Sequence, residues 1–155
     1  MQAGNLLYVA GTITLFNGKM THTGQVGKEQ TVPAAYEAAK ICALNTLAYL
    51  KAATGTLDSV KQFVLVTGFV NAVSGFADSP SCINGASELF AGLYGDAGKH
   101  ARAAIAVTGL PKNSTVEIQV TIELKETHVT KQPRANSLER TLFGVPFEIL
   151  AHRYA

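Results

Sequence analysis

From Val116 to Leu124 the chain alternates without a fault, with Val116, Ile118, Val120, Ile122 and Leu124 on one side and Glu117, Gln119, Thr121 and Glu123 on the other. A period of two predicts a strand with one buried face and one wet or functional face. Val60 to Val70 is apolar on both alternating faces after its first residues, which predicts a central strand covered on both sides. Asn5 to Leu15 is β-branched and apolar with Gly11 inside it, a strand carrying a bulge or a close backbone approach. Asn17-Gly18 is a turn signal, and a strand resuming near Lys19 and Met20 makes a hairpin. Ala101 to Val107 supplies a further strand, and a simple hairpin about Pro111-Lys112 would set Arg102 opposite residues near 120.

Two stretches change period. Thr31 is placed to cap a helix with Pro33 in its first turn, running to Ala53 and stopped by Gly55, with Ile41, Leu44, Leu47, Ala48 and Lys51 spaced for one buried stripe. Residues 81–94 place Ile83, Ala86, Phe90, Leu93 and Tyr94 at helical spacing before Gly95 and Gly98. The order is β-β-α-β-α-β-β, an α+β domain over residues 1–124 in which two helices cover one sheet face. The second face also needs cover, and sheet-to-sheet self-association is the economical way to provide it.

Composition sharpens that expectation. Hydrophobic residues are 47% of the 155-residue chain and charged residues 15%, against a typical ~25% charged. A surface this short of charge favours a homo-oligomer. No unbroken apolar run is longer than Ala103 to Val107, far below the ~20 residues that span a bilayer, and no secretory pattern opens the chain, so a cytoplasmic protein without membrane contact is expected. Residues 1–124 hold eight Lys/Arg and eight Asp/Glu, and the net charge of +2 comes from residues 125–155. A neutral body without a basic stripe lacks an electrostatic footprint for nucleic acid. Residues 125–155 read as a polar linker followed by an apolar segment, Leu138 to Leu150, expected to dock on the body.

Familiar chemistry motifs are missing: GxGxxG, GxxxxGK[ST], GxSxG and HExxH do not occur. The histidines at 22, 100, 128 and 152 are too scattered to suggest a metal site, and no metal or cofactor is expected. Cys42 and Cys82 read as reduced core residues, and Asn113-Ser114-Thr115 as a turn. Arg102 stands near the start of an apolar strand. An arginine there either snorkels to solvent or faces a cleft or an anion. Glu117 is one of the polar-face residues of its alternating strand.

The body from Gly4 to Leu124 resembles the YjgF-like, or Rid (reactive intermediate deaminase), family, formerly endoribonuclease L-PSP. The resemblance is carried by Gly4-Asn5-Leu6-Leu7-Tyr8-Val9-Ala10-Gly11, Asn45-Thr46-Leu47, Leu57-Asp58-Ser59-Val60 and Thr67-Gly68-Phe69-Val70-Asn71. Phe76, Asn84-Gly85-Ala86-Ser87, His100-Ala101-Arg102-Ala103-Ala104, Gly109-Leu110-Pro111 and Val116-Glu117-Ile118 continue it in order. It implies a chorismate-mutase-like fold, a homotrimer with clefts between subunits, and a substrate-binding set of Arg102, Asn84 and Ala104. In deaminating members the arginine binds the substrate carboxylate and the glutamate places the attacking water, roles that fall here to Arg102 and Glu117. The chain departs from the pattern with His100 where the best-known members have proline, Ala104 where active members have cysteine, and Ala10-Gly11-Thr12 in place of SGQ. An aromatic supplied from before the first strand is also without a counterpart.

The resemblance therefore implies hydrolysis of 2-imino or enamine acids to 2-keto acids and ammonia. A trimeric protein that binds small carboxylates without efficient chemistry is the reading from another class. Ribonuclease activity, suggested by the older family name, is a third, and the neutral body argues against it.

Overall fold

The computed structural model describes residues 1–126, 141–142 and 145–146. The chain divides into two compact units, Met1–Lys125 and Glu126–Ala155. In the second, Thr141–Leu142 pairs antiparallel with Val145–Pro146. The expected docking of Leu138 to Leu150 otherwise lies outside the described residues.

In the first unit a five-stranded sheet runs in the order β1 (Gln2–Ala3), β2 (Leu6–Ile13), β7 (Val116–Leu124), β5 (Val60–Asn71), β6 (Ala101–Val107). β7 is antiparallel to both β2 and β5, and β5 is parallel to β6. The short β3 (Leu15–Phe16) and β4 (Lys19–Met20) form a separate hairpin. Its turn residues Asn17 and Gly18 both have positive φ, 49° and 76°, the left-handed pair that a two-residue hairpin needs.

The alternation of β7 becomes layering. Val116, Ile118, Val120 and Ile122 are fully buried under the helices α1 (Val32–Thr54) and α2 (Ser79–Tyr94), while Glu117, Gln119, Thr121 and Glu123 stand on the other face. Thr31 caps α1 by accepting from the Ala34 N–H, and Gly55 closes it at φ 80°. The buried stripe of α1 differs from the expected one: Ala35, Ala38, Ala39, Cys42, Ala43, Thr46, Leu47 and Leu50 are buried, and Leu44 is 49% exposed. Small residues win the inner face because α2 comes very close. A Cβ on Gly85 would lie 2.0 Å from the Tyr36 carbonyl oxygen. Both cysteines are free and buried; burial pushes the Cys82 thiol up to about 11, and burial with the Glu117 charge pushes Cys42 upward.

The hairpin about Pro111-Lys112 does not form. β5 lies between β6 and β7, so Val66 has Arg102 on one side and Val120 on the other. The physical reason is α2: a strand, a helix and a second parallel strand make one crossover unit, and β7 is the antiparallel strand inserted between β2 and β5.

The face away from the helices carries Tyr8, Leu65 and Ile105 exposed and Phe69 half-buried. Among the described residues no helix is long and apolar enough to cross a membrane.

Candidate active site

Arg102 shares its row with Val66 and Val120, both buried under the helices, so its side chain leaves the sheet toward α2. Asn84 and Ser87, three residues apart, occupy one face of that helix. Arg102 Nη1 donates to Asn84 Oδ1 at 2.8 Å and to Ser87 Oγ at 3.1 Å. Both hydrogens of Nη1 are thereby used. The Nε and Nη2 edge, which suits a planar two-oxygen anion, has no partner among the described residues.

The network continues into His100. Ser87 Oγ and His100 Nε2 are 2.9 Å apart, and His100 Nδ1 lies 2.7 Å from the Gly98 carbonyl. Gly98 is pressed against α2, where a Cβ would fall 2.1 Å from the Phe90 carbonyl oxygen. The Phe90 ring meets the imidazole edge-on at 6.1 Å. Burial, with Arg102 adding to it, lowers the His100 pKa, against the opposing Gly98 hydrogen bond. A cavity of about 310 Å³ opens beside these groups, walled by Ser87, Glu88, Ala91, Gly98, Lys99, His100 and Arg102.

Glu117 is elsewhere in the chain. It pairs with Phe69 on one side and Ile13 on the other, three positions along β7 from the Arg102 row. Three is odd, so the two side chains leave opposite faces of the sheet. With β5 between their strands, their Cα atoms are on the order of 14 Å apart from strand spacing and the offset along the strands. β2 bulges between Val9 and Thr12, and Gly11 within that bulge leaves the space that Glu117 fills: a Cβ there would sit 1.9 Å from Glu117 Oε1. Gly11 is thus both bulge and close approach.

Of the sequence-derived candidates, Arg102 and Asn84 are in direct contact. Ala104 follows Arg102 on the same strand face, partly buried against the core in a row with Gly68. Glu117 stands apart. Ser87 and His100 gain a part in holding Arg102 that pattern reading did not give them. The available signal was spacing: Asn84 and Ser87 are one helical turn apart, and His100 stands two residues before Arg102 where β6 begins. Among the described residues no cluster of His, Cys, Asp or Glu is arranged to hold a metal ion.

Comparison with known proteins agrees with this fold. Protein TCP17 of Trypanosoma cruzi is 37% identical over 123 residues, covering 79% of this chain and 77% of its own. The crystal structure of Atu1372, a protein of unknown function from Agrobacterium tumefaciens, superposes with a TM-score of 0.78 at 42% identity over 80% of each chain. A protein of Shewanella oneidensis described as a "putative endoribonuclease" superposes at 0.77 with 31% identity, over 80% of this chain and 82% of its own. The family model described as "YjgF/chorismate mutase-like, putative endoribonuclease" matches residues 2–124. That span takes in the strand holding Arg102, the helix that orients it and the bulge that seats Glu117, and the chain belongs to the YjgF/chorismate mutase-like family.

Proposed function

We propose that the protein hydrolyses 2-imino acids, or their enamine tautomers, to 2-keto acids and ammonia, with Arg102 holding the substrate carboxylate. The observation that carries this reading is the guanidinium itself, pinned through Nη1 by Asn84 and Ser87 with its Nε and Nη2 edge left for a ligand. The chemistry asks little more. An imine carbon is already electrophilic: water adds to C2, a proton passes to nitrogen, the C–N bond breaks, and ammonia leaves as the carbonyl forms. Orientation of the substrate and a placed water supply the rate, and neither a metal nor an organic cofactor is required by the step.

Glu117 is the group assigned to the water. Because it leaves the sheet on the opposite face from Arg102 within one chain, it serves that role only if a neighbouring copy presents it. The homotrimer therefore belongs to the proposal. Its support is the low charge of the chain and the apolar residues Tyr8, Leu65 and Ile105 on the sheet face away from the helices. The same separation favours a second reading, a small-carboxylate-binding protein that uses Arg102 without turnover. RNA cleavage, which the name of the Shewanella relative suggests, finds no support in a body with equal numbers of acidic and basic residues.

Ammonia release from imines generated in place by an amino-acid oxidase tests the proposal. Wild type should exceed the buffer rate, and Glu117→Gln should lose turnover while retaining carboxylate affinity. Wild type equal to buffer, with a carboxylate still bound at Arg102, selects the second reading.

A further inference from the structure

Arginine has no acceptor, so the direction of every hydrogen bond running from Arg102 is determined. Ser87 Oγ accepts from Nη1. The hydroxyl has a second lone pair, but in the neutral ring it donates to His100 Nε2 at 2.9 Å, because the Gly98 carbonyl, which can only accept, claims the ring hydrogen on Nδ1 and leaves Nε2 bare. The hydrogen of the ring accordingly sits on Nδ1, 2.7 Å from the Gly98 carbonyl, which packing against Phe90 holds in place. In the neutral imidazole the chain of bonds from Arg102 through Ser87 and His100 to Gly98 runs in one direction, with every hydrogen in it placed.

We propose that His100, in its neutral Nδ1-protonated form, is a positioning residue for Arg102: by taking the Ser87 hydrogen it turns the Ser87 lone pairs toward Nη1 and sets the guanidinium edge that a carboxylate would engage. Protonation of His100 would turn Nε2 into a donor toward Ser87, force the hydroxyl hydrogen out of the chain, and place a second cation beside Arg102. The charged groups sharing the cavity with His100 are Arg102 on β6, Glu88 on α2, and Lys99, which is paired with Asp96. The lowered pKa of the ring agrees with the neutral form. The substrate role rests on the carboxylate reading above; the bond chain does not.

The experiment uses the full chain and side-chain ¹⁵N NMR, with pyruvate as the probe carboxylate. At pH 8 His100 should show a protonated Nδ1 and a bare Nε2, and the Arg102 guanidinium signals should indicate a restrained group. In wild type those Arg102 signals should shift as the pH is lowered through the titration of His100. His100→Gln, whose side-chain oxygen can still accept from Ser87, should keep the restrained Arg102 signals and lose that pH dependence. His100→Ala should release them and weaken pyruvate binding at pH 8 about fivefold, the size of one ordinary hydrogen bond, and His100→Gln should restore it. An Nε2-protonated tautomer, Arg102 signals unaltered in His100→Ala, or an unchanged titration in His100→Gln would overturn the proposal. If Arg102→Ala binds pyruvate as wild type does, the carboxylate reading falls, and the Arg102 signals of wild type against His100→Ala still decide this one.

Discussion

Two polar residues on strands of one sheet, Arg102 on β6 and Glu117 on β7, are held by opposite means. Arg102 is fixed by partners: Asn84 and Ser87 take its Nη1 hydrogens, and Ser87 leans in turn on His100. Glu117 is fixed by space, lying where Gly11 has no side chain. The first arrangement aims a donor edge at a cavity on the helix side, and the second lays a carboxylate along the other face. A helix packed on a sheet supplies hydrogen-bond partners, whereas an uncovered face offers only neighbouring strands, so a charge there is placed by backbone shape. The two residues meet in one site only through a second copy of the chain.

The comparison breaks most sharply at Arg102. Arg102→Ala should reduce pyruvate affinity at least a hundredfold, about 3 kcal/mol or more for loss of a charged two-pronged contact, and Arg102→Lys should recover little of it. Titration calorimetry reads both. Gly85→Ala attacks the support instead of the residue. With a Cβ 2.0 Å from the Tyr36 carbonyl oxygen, α1 and α2 have to separate, and overpacking of this kind costs about 1–3 kcal/mol. Chemical denaturation should show that loss, together with weaker binding as Asn84 and Ser87 shift.

Gly11→Ala probes the other region alone. Its methyl would displace Glu117 by direct overlap with Oε1. Turnover of imines should fall about a hundredfold or more, the lower end of what a positioned acid or base contributes, while pyruvate affinity stays within about twofold of wild type. An equal loss of both would show that the two regions are coupled within one chain.

The smallest effect is a pH dependence of stability. Burial lowers the pKa of His100 in the folded protein below its ordinary value of 6.5. The unfolded chain therefore takes up this proton first as the solution is acidified, so the neutral ring's contribution is whole above about pH 6.5 and is lost as pH falls through the lower folded value. Thermal unfolding of wild type between pH 8 and pH 5 should carry a component that His100→Gln lacks.

Local order was legible in the sequence wherever a residue acts on its own backbone or its nearest neighbours. The alternation of Val116 to Leu124 put five side chains under the helices, Asn17-Gly18 made its turn, Thr31 and Gly55 bounded α1, and Gly11 marked a bulge. The inner stripe of α1 was misplaced because hydrophobic size alone selected Leu44, while the closeness of α2 selected alanine and cysteine. That closeness is a property of two elements some forty residues apart, invisible to periodicity in either one. The same holds for the site. The resemblance marked Arg102, Asn84 and Glu117, but the insertion of β5 between β6 and β7 decided which of them meet. Alternation fixes that successive side chains point opposite ways; which strand lies alongside, and in what register, depends on pairings between distant segments, whose closure cost changes too slowly with loop length to be read from the chain.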